Sequence, residues 1–196
     1  QVDEKLLDHA ALREALPSAI FSFSAGKENP LADYMAMKNI SFHDASMKFG
    51  TAPDWGINGK AAIHALKLDT LQLDTVFFTV KQDTTRMNLR AGVINGPKNP
   101  QFSFSTILTG EIRDRDADLL AEYKNEKGKT GVLLGVNARS LVGGRGKGDG
   151  LAFTLIPEEP IIAFRKFHFN EDHNWIYLHK NMRVYANVDM WDDEGM

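Results

Sequence analysis

The chain has 196 residues, a formal net charge of −3, a sequence pI near 6.1 and no cysteine. That charge offers no general attraction to nucleic acid or to an anionic membrane surface, and the missing thiols exclude disulfides, zinc-thiolate centres and cysteine nucleophiles. There is no run of about 18 apolar residues able to span a bilayer as a helix.

From the N-terminus, Asp3 to Leu16 gives a helix signal, with Asp3 as N-cap, Leu6, Leu7, Ala10, Ala11 and Glu14 at helical spacing, and Pro17 ending it. Such a helix either packs on the end of a sheet or plugs an apolar groove. Residues 1–17 are read as a helical segment and 18–196 as one β-rich body. Ala19, Phe21 and Phe23 alternate with serines as a first strand, and Tyr34 to Phe49 reads as two short strands broken near His43-Asp44. Ile57, Gly59, Ala61, Ile63 and Ala65 resume the alternation. Leu71, Leu73, Thr75 and Phe77 repeat it, leaving Val76, Phe78 and Val80 on the opposite face.

From Arg86 to Arg139 the pattern is clearest. Met87, Leu89, Ala91 and Val93 share one parity, then Phe102, Phe104, Leu108 and Ile112, then Leu119, Ala121 and Tyr123, then Val132, Leu134, Val136 and Ala138. Successive side chains of a strand point to opposite faces, so this text describes strands with one apolar and one wet face. The polar links Asn95–Pro100, Arg113–Asp116 and Asn125–Lys129 favour an antiparallel meander. A strand from Gln101 to Ile112 would span roughly 40 Å, long beside the usual strand.

Gly143–Gly150 reads as a connector, and the strand-like Leu151, Phe153 and Leu155 that follow argue against a phosphate cradle, which needs a helix there. Pro157–Pro160 marks a change of text. A strand follows through Ile162, Phe164, Phe167 and Phe169, then a turn at Asn170–Asn174, then strands from Trp175 and from Met182 to Met190. Ten or more short strands make the chain mainly β.

His168, His173 and His179 stand near Glu171 and Asp172, but their spacing matches no metal signature, and they read as scattered surface histidines. Asp114, Asp116 and Asp118 lack the glycine and distal carboxylate of a calcium loop and read as a self-paired charged turn. No Gly-x-Ser-x-Gly elbow is present. The residues therefore point to a non-enzymatic protein without cofactor or metal. Trp55, Trp175 and Trp191 keep a glycan-binding or adhesive β-sandwich open as an alternative.

The segments Met87–Val93, Phe102 through Gly110-Glu111-Ile112, Gly131–Val136, Leu155–Pro160, Phe167–Asn170 and Arg183–Val188, in this order, resemble the TamB-like translocation and assembly module subunits of the AsmA-like superfamily, in their Bacteroidetes-type form. The resemblance covers roughly Met87 to Met190. It implies a fragment of a large envelope protein, anchored in the inner membrane through a segment outside this fragment and reaching across the periplasm. An open, strongly curved antiparallel sheet would then form a trough that carries phospholipid acyl chains toward the outer membrane. Alternatively it would assist an outer-membrane β-barrel partner as a scaffold or chaperone. The expected lining is Met87, Leu89, Val93, Phe102, Phe104, Leu108, Ile112, Val132, Leu134, Val136, Phe153 and Leu155, with Ser103 and Ser105 outside. Closure of the same faces on each other in a sandwich remains open at this level.

Overall fold

The computed structural model describes residues 5–141 and 149–193. Two short helices, α1 (His9–Ala15) and α2 (Pro30–Ala36), accompany twelve strands: β1 (Ala19–Gly26), β2 (Ile40–Ser41), β3 (Asp44–Ala52), β4 (Gly56–Leu68), β5 (Leu71–Gln82), β6 (Arg86–Asn95), β7 (Phe104–Arg113), β8 (Asp116–Lys124), β9 (Thr130–Leu141), β10 (Gly150–Ile162), β11 (Arg165–His179) and β12 (Val184–Asp192). From β3 onward each strand pairs antiparallel with its successor, β1 pairs β3, and β2 pairs the end of β4. The result is one curved, open antiparallel sheet that does not close into a barrel.

Short turns dictate this order. Asp83 shows how one is built: its carboxylate accepts from the backbone N–H of Thr85 and of Arg86, folding β5 back on β6. Asn125 does the same between β8 and β9, accepting from the N–H of Lys127 and Lys129. With one layer there is little closed core: the buried hydrophobic residues are Ala25, Phe42, Ala52, Val80 and Tyr177. Cohesion comes instead from the ladder and from cross-strand pairs, each worth roughly 0.2–1 kcal/mol.

Several sequence expectations are corrected. Helix α1 begins at His9, not near Asp3, because the Asp8 carboxylate caps it by accepting from Ala11 N–H; Asp3 lies outside the described residues. A second helix, not expected, runs into the stretch from Tyr34 read as strand, with Asn29 as its cap and Pro30 at its first turn. Strand β7 starts at Phe104, so Phe102 precedes it. Ala65 adopts φ 50° and shifts the β4 register, so it leaves the apolar row.

Pro157–Pro160 lies inside β10, and Asn170–Asn174 inside β11. Both coincide with register shifts, and Asn174 bridges one of them: its side-chain amide accepts from Leu155 N–H and donates to Leu155 C=O, replacing lost ladder bonds. Phe164 belongs to the β10–β11 turn rather than to a strand. Of the glycine-rich connector, 143–148 lie outside the described residues, and Gly150 opens β10.

Candidate functional site: an apolar face crossing the sheet

Registered partners in a sheet share a face, so the pairing table defines continuous rows across the strands. One row runs Phe23, Met47, Ala61, Phe78, Ala91, Leu108, Ala121, Leu134. Its neighbour runs Phe21, Phe49, Gly59, Val80, Leu89, Gly110, Leu119, Val136, Leu155. A third joins Met87, Ile112, Ala117, Ala138, Phe153 and Ile176. A fourth joins Ile63, Val76, Val93, Thr106, Tyr123 and Val132.

Met87, Leu89, Val93, Leu108, Ile112, Val132, Leu134, Val136, Phe153 and Leu155 all fall on this face. Phe104 is registered with Asn95 on the same parity, and Ser105 with Ile94 on the other. Phe102 sits ahead of the strand, its ring 5.5 Å from that of Phe104. The face also takes in Val76, Phe78 and Val80 of β5, Met47 and Phe49 of β3, and Leu119 and Ala121 of β8, none of which was in the expected lining. On β5 the run Leu71, Leu73, Phe77 drew the eye to the wrong parity. The signal that names the right one is pairing with Leu89, Ala91 and Val93, which sequence alternation alone does not supply.

No second sheet covers this face among the described residues. In the middle of the sheet Leu108 is 41% exposed and Leu119 43% exposed, values foreign to a sandwich core. Leu108, Leu119, Ala121, Leu134, Val136 and Leu155 line a shallow cavity of about 210 Å³.

The two ends of the face differ. At the end where β1 begins, α1 lies across the turns. Leu6 and Leu7 N–H donate to the Asp114 carbonyl, His9 N–H donates to the Asp114 carboxylate, and Arg13 donates to the carbonyls of Pro53 and Asp54. His9 is fully buried. Gln82 Oε1 accepts from Ile57 N–H, so its amide nitrogen donates to His9 Nδ1 at 3.2 Å, and His9 Nε2 donates to the Ile112 carbonyl at 3.0 Å. One imidazole thus ties the helix to the ends of β5 and β7. The Arg113–Asp116 turn, expected to be only self-paired, also anchors α1 through Asp114.

At the opposite end four rings follow one another. Phe102, Phe104, Tyr123 and Phe164 stand 5.5, 6.3 and 6.3 Å apart between successive centroids, within the range of favourable aromatic pairs. The Asn95–Gln101 link is more than a turn. Asn95, 2% exposed, accepts from Asp74 N–H and donates to Gln72 C=O. Asn99 donates to Gln72 C=O and Asp74, and Gln101 accepts from Gln72 N–H. These side chains continue the β5 ladder where β6 has stopped.

Other candidate chemistry stays apart. Among the described residues no group of three metal-ligating side chains converges; His168 meets Asp193, His173 meets Asn170, and His179 accepts from Asn181 N–H. The tryptophans form no common cleft: Trp55 lies in the β3–β4 turn, while Trp175 and Trp191 sit on β11 and β12 at the other side of the sheet. On the face opposite the apolar rows, Arg113 binds Glu111, Asp116 and Asp118, and this triple ion pairing raises its already high pKa further.

No helix among the described residues is long and apolar enough to cross a membrane. Comparison with protein-family models, with curated proteins and with solved structures finds no match to this chain.

Proposed function

We propose that the chain is part of a periplasm-spanning envelope protein of the TamB-like kind, and that its apolar face conducts phospholipid acyl chains between the inner and outer membranes. The observation that supports this reading is the set of mainly apolar rows that together reach from β1 to β11, left accessible in a single-layer sheet. A methylene taken from water gains about 0.8 kcal/mol, so a chain of about 16 carbons gains on the order of 10 kcal/mol before ordering costs. Such attraction is non-directional, which suits a path along which lipids must slide rather than stop. The opposite face carries charged residues such as Arg90, Glu111, Arg113 and Asp118 beside Phe77, Ile107 and Leu120, and α1 lies across the turns at one end of the apolar rows.

Mass spectrometry of lipid extracted from natively purified protein tests the reading. Phospholipid is expected to co-purify with the parent chain and to be lost from a Leu108→Asp, Leu119→Asp variant. Protein that carries no lipid and leaves an apolar dye unbound would refute it.

The edge of the sheet supports a second reading, a scaffold that pairs with nascent outer-membrane β-proteins. Strand β1 has eight residues, no charged or proline residue, and Ile20 is 74% exposed, so nothing discourages strand addition. Crosslinks from β1 to nascent strands, with Leu108 and Leu119 variants neutral, would favour this reading over the conduit.

A further inference from the structure

We infer that the face opposite the apolar rows carries an anion site on β3, β4 and β5 that takes a phosphate group. An open cavity of about 630 Å³ lies there; its walls are largely apolar, with Ile20 and Trp55 beside Asn58 and Thr79, and Lys48, Lys60 and Lys81 stand around it. Lys48 and Lys60 are direct cross-strand partners. Lys81 stands one row away, registered with Asn58.

Like charges directly opposite each other oppose pairing of the strands that carry them. Several cations elsewhere on this face meet carboxylates, Arg86 with Asp83 and Glu111, Arg113 with Glu111 and Asp118, Lys124 with Glu122, while Arg90, next in the same row, lies over the Phe77 ring. None of the three lysines has an ion-pair partner among the described residues. In a chain whose net charge is −3, three exposed lysines without an ion-pair partner among the described residues thus stand around one concavity. An anion there relieves the repulsion and gains from all three ammonium groups.

The cavity has a second wall of different chemistry. The indole of Trp55 lies over Gly50, where a side-chain carbon would stand 2.6 Å from the ring, so glycine is what lets the ring lie on the strand. An apolar ring beside three ammonium groups fits a phosphate carrying a carbon skeleton, such as a glycerophosphate or sugar phosphate. Two sources share that chemistry, a phospholipid headgroup and a dissolved phosphate ester.

The test uses the full chain with Trp175→Phe and Trp191→Phe, which leaves Trp55 as the only indole. Its emission is followed against inorganic phosphate and sn-glycerol 3-phosphate. Flotation is measured with vesicles of phosphatidylcholine, with and without phosphatidylglycerol. A saturable change that weakens about tenfold or more in the Lys48→Gln, Lys60→Gln, Lys81→Gln variant is expected. The single Lys60→Glu variant is expected to show a smaller loss in the same direction, and circular dichroism checks that each variant keeps its strands.

A response confined to phosphatidylglycerol vesicles identifies the headgroup as the source. One confined to the dissolved probes identifies a soluble ester. The inference is overturned if neither probe acts, if chloride at equal ionic strength acts equally, or if the lysine variants match the parent. The Leu108→Asp, Leu119→Asp variant leaves these lysines intact, so its phosphate response is expected to persist whether or not lipid is carried on the other face.

Discussion

His9 and Asn95 hold positions that an alternating pattern does not announce. Each is a polar side chain sealed from solvent with its hydrogen bonds met by other elements, Asn95 by β5 backbone groups and His9 by the Ile112 carbonyl and the Gln82 side-chain amide. Removing one partner of a buried hydrogen bond leaves the other unpaired, at a cost of about 1–3 kcal/mol. His9→Ala and Asn95→Ala are therefore each expected to lower unfolding free energy by about 2 kcal/mol, read as a shift of the urea midpoint. Exposed Asn88→Ala, on the polar face, is the control expected to move it little. Asp118 supplies the acid response. Burial opposes its ionisation, but Asn137 and the Arg113 guanidinium outweigh this and hold the carboxyl below its usual range. Its folded pKa lies below the unfolded one, so its contribution is present above about pH 4 and is lost as pH falls through the folded value. Urea midpoints between neutral pH and about pH 3 are expected to fall less steeply for Asp118→Asn than for the parent.

The elements act through where they sit on the sheet. Helix α1 is held at both ends by turn carbonyls and in its first turn by His9, so deleting residues 1–16 uncovers one end of the apolar rows. Binding of an apolar dye is expected to rise while far-ultraviolet strand signal is kept; unchanged dye binding would show that α1 guards nothing. Strand β1 is an uncharged edge, and Phe21→Lys is expected to suppress concentration-dependent association in sedimentation, because edge lysines block strand addition. At this scale it becomes clear what the sequence could disclose. The four strands from Arg86 to Leu141 were legible because each has one apolar parity and is bounded by polar links. β5 was not, because Phe77 and Phe78 make both parities apolar, and only the register to β6 decides. β10 and β11 were cut short by proline and by Asn-Glu-Asp-His-Asn, which look like turns; in the sheet they are bulges, with the Asn174 amide carrying ladder bonds across the gap. Helix α2 was missed because seven residues give too little periodicity, although Asn29-Pro30 is a proper start signal.

For the whole molecule, the defining property is a sheet of twelve strands with continuous apolar rows on one face and, among the described residues, no second layer upon them. A closed sandwich would have hidden Leu108 and Leu119; here they stay accessible between neighbours on both sides. The other face carries many of the charged residues: there Arg113 ties together carboxylates from β7 and β8, and three lysines have no ion-pair partner among the described residues. The two proposals divide between the faces: acyl chains along one, anions at one place on the other. Photo-crosslinking from within the central strand tests that division most directly. A benzophenone side chain is placed at position 108, on the apolar rows, or at position 109, whose threonine is registered with Arg90 and Leu120 on the opposite face. In membranes or with added phospholipid, irradiation is expected to attach lipid at 108 and not at 109. Equal labelling at both positions, or none at 108, would contradict the conduit.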